Sequence, residues 1–131
     1  MAILVGVLLA FAIGLFGSVV GFDRDRSFYP VVTVVVASYY ALFAVMGAST
    51  HALILECLVA VAFLAAAVLG FRSSLWLVVG ALAAHGALDF VHGAIISNPG
   101  VPSWWPPFCL AYDVVAAAYL AWLLKSGRLR A

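Results

Sequence analysis

The sequence predicts an all-α integral membrane protein, built as a compact bundle of five transmembrane helices. Of its 131 residues, 68% are hydrophobic and only 8% are charged, a balance far from that of soluble globular domains. Charged and proline-rich stretches divide the chain into five apolar runs, each long enough to cross a hydrocarbon core about 30 Å thick. The runs fill the chain, so residues 1–131 are expected to form a single transmembrane helical domain.

The five spans are predicted at residues 2–22, 31–47, 51–71, 75–97 and 108–124. No basic residue precedes the first run and the charged segment 23–26 follows it, so we interpret this run as a retained span rather than a signal peptide. The aspartates and arginines of that segment are expected to offset one another in a solvated loop. Pro30 is expected near the start of the second helix, because proline is tolerated in a first turn.

Two interruptions separate the later spans. An unbroken helix over residues 31–71 would be about 60 Å long, twice the hydrocarbon thickness. Residues 47–50 must therefore form a turn, in which Ser49 or Thr50 can cap the next helix. Segment 97–107 contains four prolines, which exclude continuing helix, so the fifth span is predicted to begin at Phe108. The two tryptophans of this segment are typical of a membrane interface.

The distribution of basic residues predicts an orientation. In a five-span topology all six Lys and Arg residues fall on one side of the membrane. By the positive-inside rule, the N-terminus is then outside and the C-terminus cytoplasmic, and we expect the membrane to be a bacterial inner (plasma) membrane. The formal net charge of +1 does not favour nucleic-acid binding. Expected partners are membrane lipid and a hydrophobic small-molecule substrate.

Small residues recur at intervals of four along the first span. Gly6, Ala10, Gly14 and Ser18 share one face, and Gly17 and Gly21 repeat the spacing on a neighbouring face. This pattern lets helices approach closely in lipid. We predict packing within the chain, with a homo-oligomer through these small-residue faces as the alternative.

Three ionisable residues interrupt the fourth apolar run, in the pattern HxxxDxxH. On a helix His85, Asp89 and His92 fall at about 0°, 40° and −20°, so all three project from one narrow face. A charged side chain in the middle of a membrane is disfavoured by roughly 2.5–3.5 kcal/mol on insertion scales. Such a cluster therefore indicates a functional site rather than ordinary packing.

Two carboxylates from other spans are predicted at a similar depth. Glu56, Asp89 and Asp113 each lie roughly 8–12 Å below the outer ends of their helices, in the outer half of the bilayer. No Lys or Arg lies inside any span to neutralise them, so protons, a protonated histidine or a metal ion must do so. We predict a divalent metal, zinc or iron first and copper or manganese as alternatives. The predicted ligands are His85, Asp89, His92, Glu56, Asp113 and His51, and the predicted catalytic residues are Glu56 and Asp113.

These residues leave three functional interpretations open, beside the alternative of a purely structural polar core. The first is a metal-dependent membrane enzyme, a hydrolase or oxidoreductase, that acts on a lipid or another hydrophobic molecule. The second is an oligomeric transporter or channel for a divalent metal or protons, which the lack of a second polar group towards the cytoplasm disfavours. The third is a haem-binding cytochrome, disfavoured because His85 and His92 share a face two turns apart. Cys109 is interpreted as a packing residue, with a role as soft ligand left open.

Overall fold

The computed structural model describes all 131 residues, and all of its regular secondary structure is helical. Its helices are α1 Ala2–Val20, α2 Phe28–Met46, α3 Thr50–Arg72, α4 Leu75–Ile95 and α5 Trp105–Lys125, with a 3₁₀ turn at Phe22–Arg24. All five are long and apolar enough to cross a membrane, which suggests an integral membrane protein. The predicted helical class and number of helices are confirmed.

Helix α2 begins at Phe28, three residues before its predicted start, and the same difference at the start of α5 affects the site. This helix begins at Trp105, with Pro106 and Pro107 in its first turn, so the expectation that all four prolines lie outside helix was wrong. Proline fits the first turn because the amide hydrogen that it lacks would have no helical partner there. The earlier start places Asp113 three residues, or about 4.5 Å, deeper along the helix than expected.

Consecutive helices run in opposite directions and leave the bundle with two chemically different ends. The basic end carries loop 21–27, residues 73–74 and the residues after 125; the tryptophan end carries Met1, turn 47–49 and loop 96–104. Helix α1 packs on α5, α2 packs on α3, and α4 contacts α5, α3 and α2. Large apolar side chains cover the outside, such as Leu8 at 59% exposure, so the molecule suits a surrounding hydrocarbon phase.

Loop 21–27 differs from its predicted role. Gly21 ends α1 in the left-handed conformation, with φ 91°, which glycine adopts without steric cost.

The Arg26 guanidinium donates hydrogen bonds of 3.2–3.4 Å to three carbonyls at the end of α3: Gly70, Phe71 and Ser73. Arg26 thus caps the negative end of α3 instead of pairing with a neighbouring aspartate.

Asp23 is buried rather than solvated. The Ser18 hydroxyl donates to Asp23 Oδ2 at 2.5 Å and lies 2.9 Å from the Tyr119 hydroxyl. No Lys or Arg forms an ion pair with this carboxyl group. The loop therefore places a polar group inside the basic end of the bundle.

The small-residue face of α1 is filled within the chain. A Cβ added at Gly6 would meet the carbonyl oxygen of Phe108, and one added at Gly14 would meet the ring of Tyr119. These contacts explain why α1 and α5 approach so closely. A homo-oligomer through α1 stays a prediction, and it would need a face that α5 leaves free.

Candidate metal centre

The polar face of α4 points into the bundle. His85, Asp89 and His92 are each at most 2% exposed, whereas Phe90 on the opposite face is 78% exposed. Leu82 and Val78 continue the inward face towards the basic end and are fully buried. The apolar face of α4 is thus on the outside, as a membrane requires, and its ionisable groups meet α2, α3 and α5.

Four buried side chains from α4 and α5 form what we call the four-residue cluster: His85, Asp89, Cys109 and Asp113. One potential ligand atom from each lies within 4.8 Å of the others. His85 Nδ1 is 2.6 Å from Asp113 Oδ2 and 3.6 Å from Asp89 Oδ2. The Cys109 thiol donates to Asp113 Oδ2 at 3.8 Å. Imidazole, thiolate and carboxylate groups from facing helices make up the donor set of many protein metal sites.

The cluster has more hydrogen-bonding capacity than it uses. Asp89 Oδ2, Asp113 Oδ1 and His85 Nε2 are buried and have no hydrogen-bond partner. Every ion pair in the protein involves a histidine, so no Lys or Arg neutralises these carboxylates. Two ionised carboxylates in a low-dielectric interior need a compensating positive charge. A proton shared with His85 supplies one charge, and a divalent cation would supply two.

Glu56 and His92 form a second buried group nearer the tryptophan end. His92 Nε2 lies 2.8 Å from Glu56 Oε1. The side-chain amide of Asn98 donates to the same Glu56 oxygen at 2.9 Å and to the backbone oxygen of Tyr40 at 3.0 Å. Glu56 Oε2 has no partner. The pair is therefore held rigidly while one carboxylate oxygen remains available.

Tyr40 on α2 connects the two groups. Its hydroxyl donates to Asp89 Oδ1 at 2.6 Å, and its ring stacks on His92 with centroids 3.9 Å apart and planes 14° apart. The residue is only 2% exposed. Tyr40 therefore fixes the orientation of a carboxylate in one group and an imidazole in the other.

No protein-family model, curated protein or solved structure matches this chain. The chemistry of the site must therefore be argued from its own residues.

The predicted site residues are brought together at two levels instead of one. Asp113 lies beside His85 and Glu56 beside His92, and these histidines are about 10 Å apart along α4. The early start of α5 explains why Asp113 lies deeper than Glu56. His51 is exposed at the start of α3 and belongs to neither group.

Three residues of the site carried little signal in the sequence. Cys109 is one turn from Asp113 on the same face, a relation visible in the spacing, yet buried cysteine is usually inert. Tyr40 could have been flagged as a hydroxyl in an apolar span that needs a partner. Asn98 lies in an irregular loop, and nothing in its neighbourhood distinguishes it from an ordinary turn residue.

Proposed function

We propose that this chain is a metal-dependent membrane enzyme that acts on a lipid or another hydrophobic molecule. The observation that carries the proposal is the four-residue cluster, in which four ligand atoms lie within 4.8 Å of one another and are buried. The unpartnered oxygens of Asp89 and Asp113 support it, because a cation would satisfy them. Nitrogen and sulfur donors beside carboxylates favour zinc or iron, with copper as an alternative.

The proposed roles follow from the two groups. His85, Asp89, Cys109 and Asp113 would hold the metal, which when bound lowers the pKa of a coordinated water or activates dioxygen. Asp113 is thus assigned as a ligand, and the free oxygen of Glu56 is assigned as the general base. His92 and Asn98 orient that carboxylate, since both contact its other oxygen.

Elemental analysis of protein purified without added metal tests this proposal. We expect about one zinc or iron ion per parent chain. His85→Ala should lose at least roughly 100-fold in metal affinity, because removing a residue that only supports a ligand already lowers affinity by roughly 10–100-fold. His51→Ala is the matched control, since His51 is exposed and lies outside the cluster. A parent protein free of metal, or equal losses in both variants, would refute the metal site.

The membrane and the orientation remain part of the proposal. All six basic residues lie at the basic end, which favours placing that end in the cytoplasm and the tryptophan end outside. We propose a bacterial inner membrane on this basis. The second buried group would then lie in the outer half of the bilayer.

A transporter of protons or divalent metal is the second candidate, and one observation favours it. Asp23, Ser18 and Tyr119 form a polar group inside the basic end, where the sequence showed none. Tyr119 is about 9 Å along α5 from Asp113. The inward residues between them include Ala116 and Ala117, which are buried and offer no polar side chain. This apolar stretch of α5 is why the enzyme remains our first proposal.

Flux measurements in reconstituted vesicles separate the two candidates. For an enzyme we expect neither proton nor zinc flux above that of empty vesicles, for the parent as well as for Asp23→Asn. A parental flux that Asp23→Asn abolishes would establish the transporter, because only a pathway through the basic end needs that carboxylate. Asp25→Asn serves as the control, since Asp25 is exposed in the same loop.

A further inference from the structure

An apolar crevice of about 370 Å³ lies between α1 and α2, and α5 forms its floor. All twelve of its lining side chains are hydrophobic, and Val31 and Val35 on its α2 rim are 57% and 45% exposed. At the basic end, the Phe28 ring closes it by packing against Gly17. The volume is within the range of roughly 300–1,000 Å³ that small-molecule sites occupy.

The crevice is elongated along the helices. On α2 its lining runs from Phe28 to Tyr39, a rise of about 16 Å. Half of a hydrocarbon core about 30 Å thick is about 15 Å. The crevice is therefore about as long as one leaflet is thick, and it runs parallel to the lipid chains of that leaflet. A hydrocarbon chain fits this shape and this largely aliphatic and aromatic lining, in which only Tyr39, Tyr112, Trp105 and Cys109 carry a polar atom.

The crevice borders the candidate metal centre. Cys109 lines the crevice and also belongs to the four-residue cluster. Its sulfur lies 3.8 Å from Asp113 Oδ2, so one side chain separates the apolar space from the carboxylates. Trp105 and Phe108 line the crevice beside Cys109, one turn of α5 or less away. A molecule in the crevice would thus lie against the wall of the polar site.

We propose that this crevice binds one hydrocarbon chain of a membrane lipid and presents that lipid to the buried site across Cys109. The proposal rests on the proposed function, since it names a lipid chain as the part of the substrate that the protein recognises. Its occupant comes from the surrounding bilayer through the open side between α1 and α2. Apolar contact supplies most of the recognition, so chains of similar length and thickness should bind alike.

Native mass spectrometry after reconstitution in dioleoyl phosphatidylcholine tests this site. We expect the parent to retain one phosphatidylcholine per chain on transfer to detergent. Val35→Trp fills the crevice and should lower that retained fraction roughly fivefold or more, because added volume in a packed site is disfavoured. Val31→Trp should act alike, and both positions are exposed enough to leave the fold intact.

Val45→Trp is the matched control, because Val45 is on the same helix, is 60% exposed and lies outside the crevice. It should retain lipid as the parent does. Metal content, measured on the same samples, separates the two proposals. Lipid retained by a metal-free parent would overturn the proposed function but support the lipid site. A metal-loaded parent that retains no lipid, or equal retention in Val35→Trp and Val45→Trp, would overturn the lipid site.

Discussion

Replacing Asp89 with asparagine is expected to remove the proposed metal and to lower the melting temperature of the protein in detergent by about 10 °C. An ion present at about 1,000 times its dissociation constant stabilises a protein by about 4 kcal/mol, and 1 kcal/mol shifts the melting temperature of a chain of this size by roughly 3 °C. Asparagine can still accept from Tyr40 through its oxygen, as Asp89 Oδ1 does. The variant therefore changes the charge and the unpartnered oxygen while it keeps the packing.

A chelator separates metal from proton as the compensating charge. If a metal neutralises the four-residue cluster, chelation should lower the melting temperature of the parent by a similar amount and leave Asp89→Asn unchanged. Asp25→Asn, with its exposed carboxylate, should respond to chelation as the parent does. If parent and Asp89→Asn melt alike and neither responds to the chelator, protons compensate the cluster and the metal-enzyme proposal fails.

The helices and the inward face of α4 were predictable because they follow from local chemistry. Apolar runs bounded by charges and prolines define helices in a membrane, where every backbone polar group needs an internal partner. The spacing of His85, Asp89 and His92 places them on one side of any helix. Their burial then follows, since a membrane span would turn the opposite face, which carries Phe90, towards lipid.

The grouping of the candidate ligands was not predictable from spacing alone. Whether Asp113 meets His85 or Asp89 depends on the axial position of α5 relative to α4. An error of three residues in the predicted start of α5 changes the expected depth of Asp113 by about 4.5 Å. The contact of Asn98 with Glu56 depends on the path of an irregular loop. Asp23 was misassigned for a related reason, because its burial depends on how loop 21–27 folds back onto Ser18 and Tyr119.

Loop 96–104 couples the stability of the bundle to the geometry of the second buried group. Gly100 packs against the end of α2, where a Cβ would overlap the carbonyl oxygen of Phe43 and crowd the amide of Gly47. The Gly100 amide donates to Asn98 Oδ1 at 3.2 Å, and the Asn98 side chain donates to Glu56. Any displacement of Gly100 therefore moves the residue that orients the proposed general base.

Gly100→Ala is expected to destabilise the protein by about 3 kcal/mol, the upper end of the usual range for overpacking. The cost is high because the new methyl group meets backbone atoms rather than a flexible side chain. The melting temperature should fall by roughly 10 °C. Gly93→Ala is the matched control, since a Cβ at Gly93 meets nothing within 4 Å and alanine favours a helix by about 1 kcal/mol over glycine. That variant should melt at or above the parental temperature. If Gly100→Ala melts with the parent, the loop does not pack on α2 as described, and the assignment of Asn98 to Glu56 fails with it.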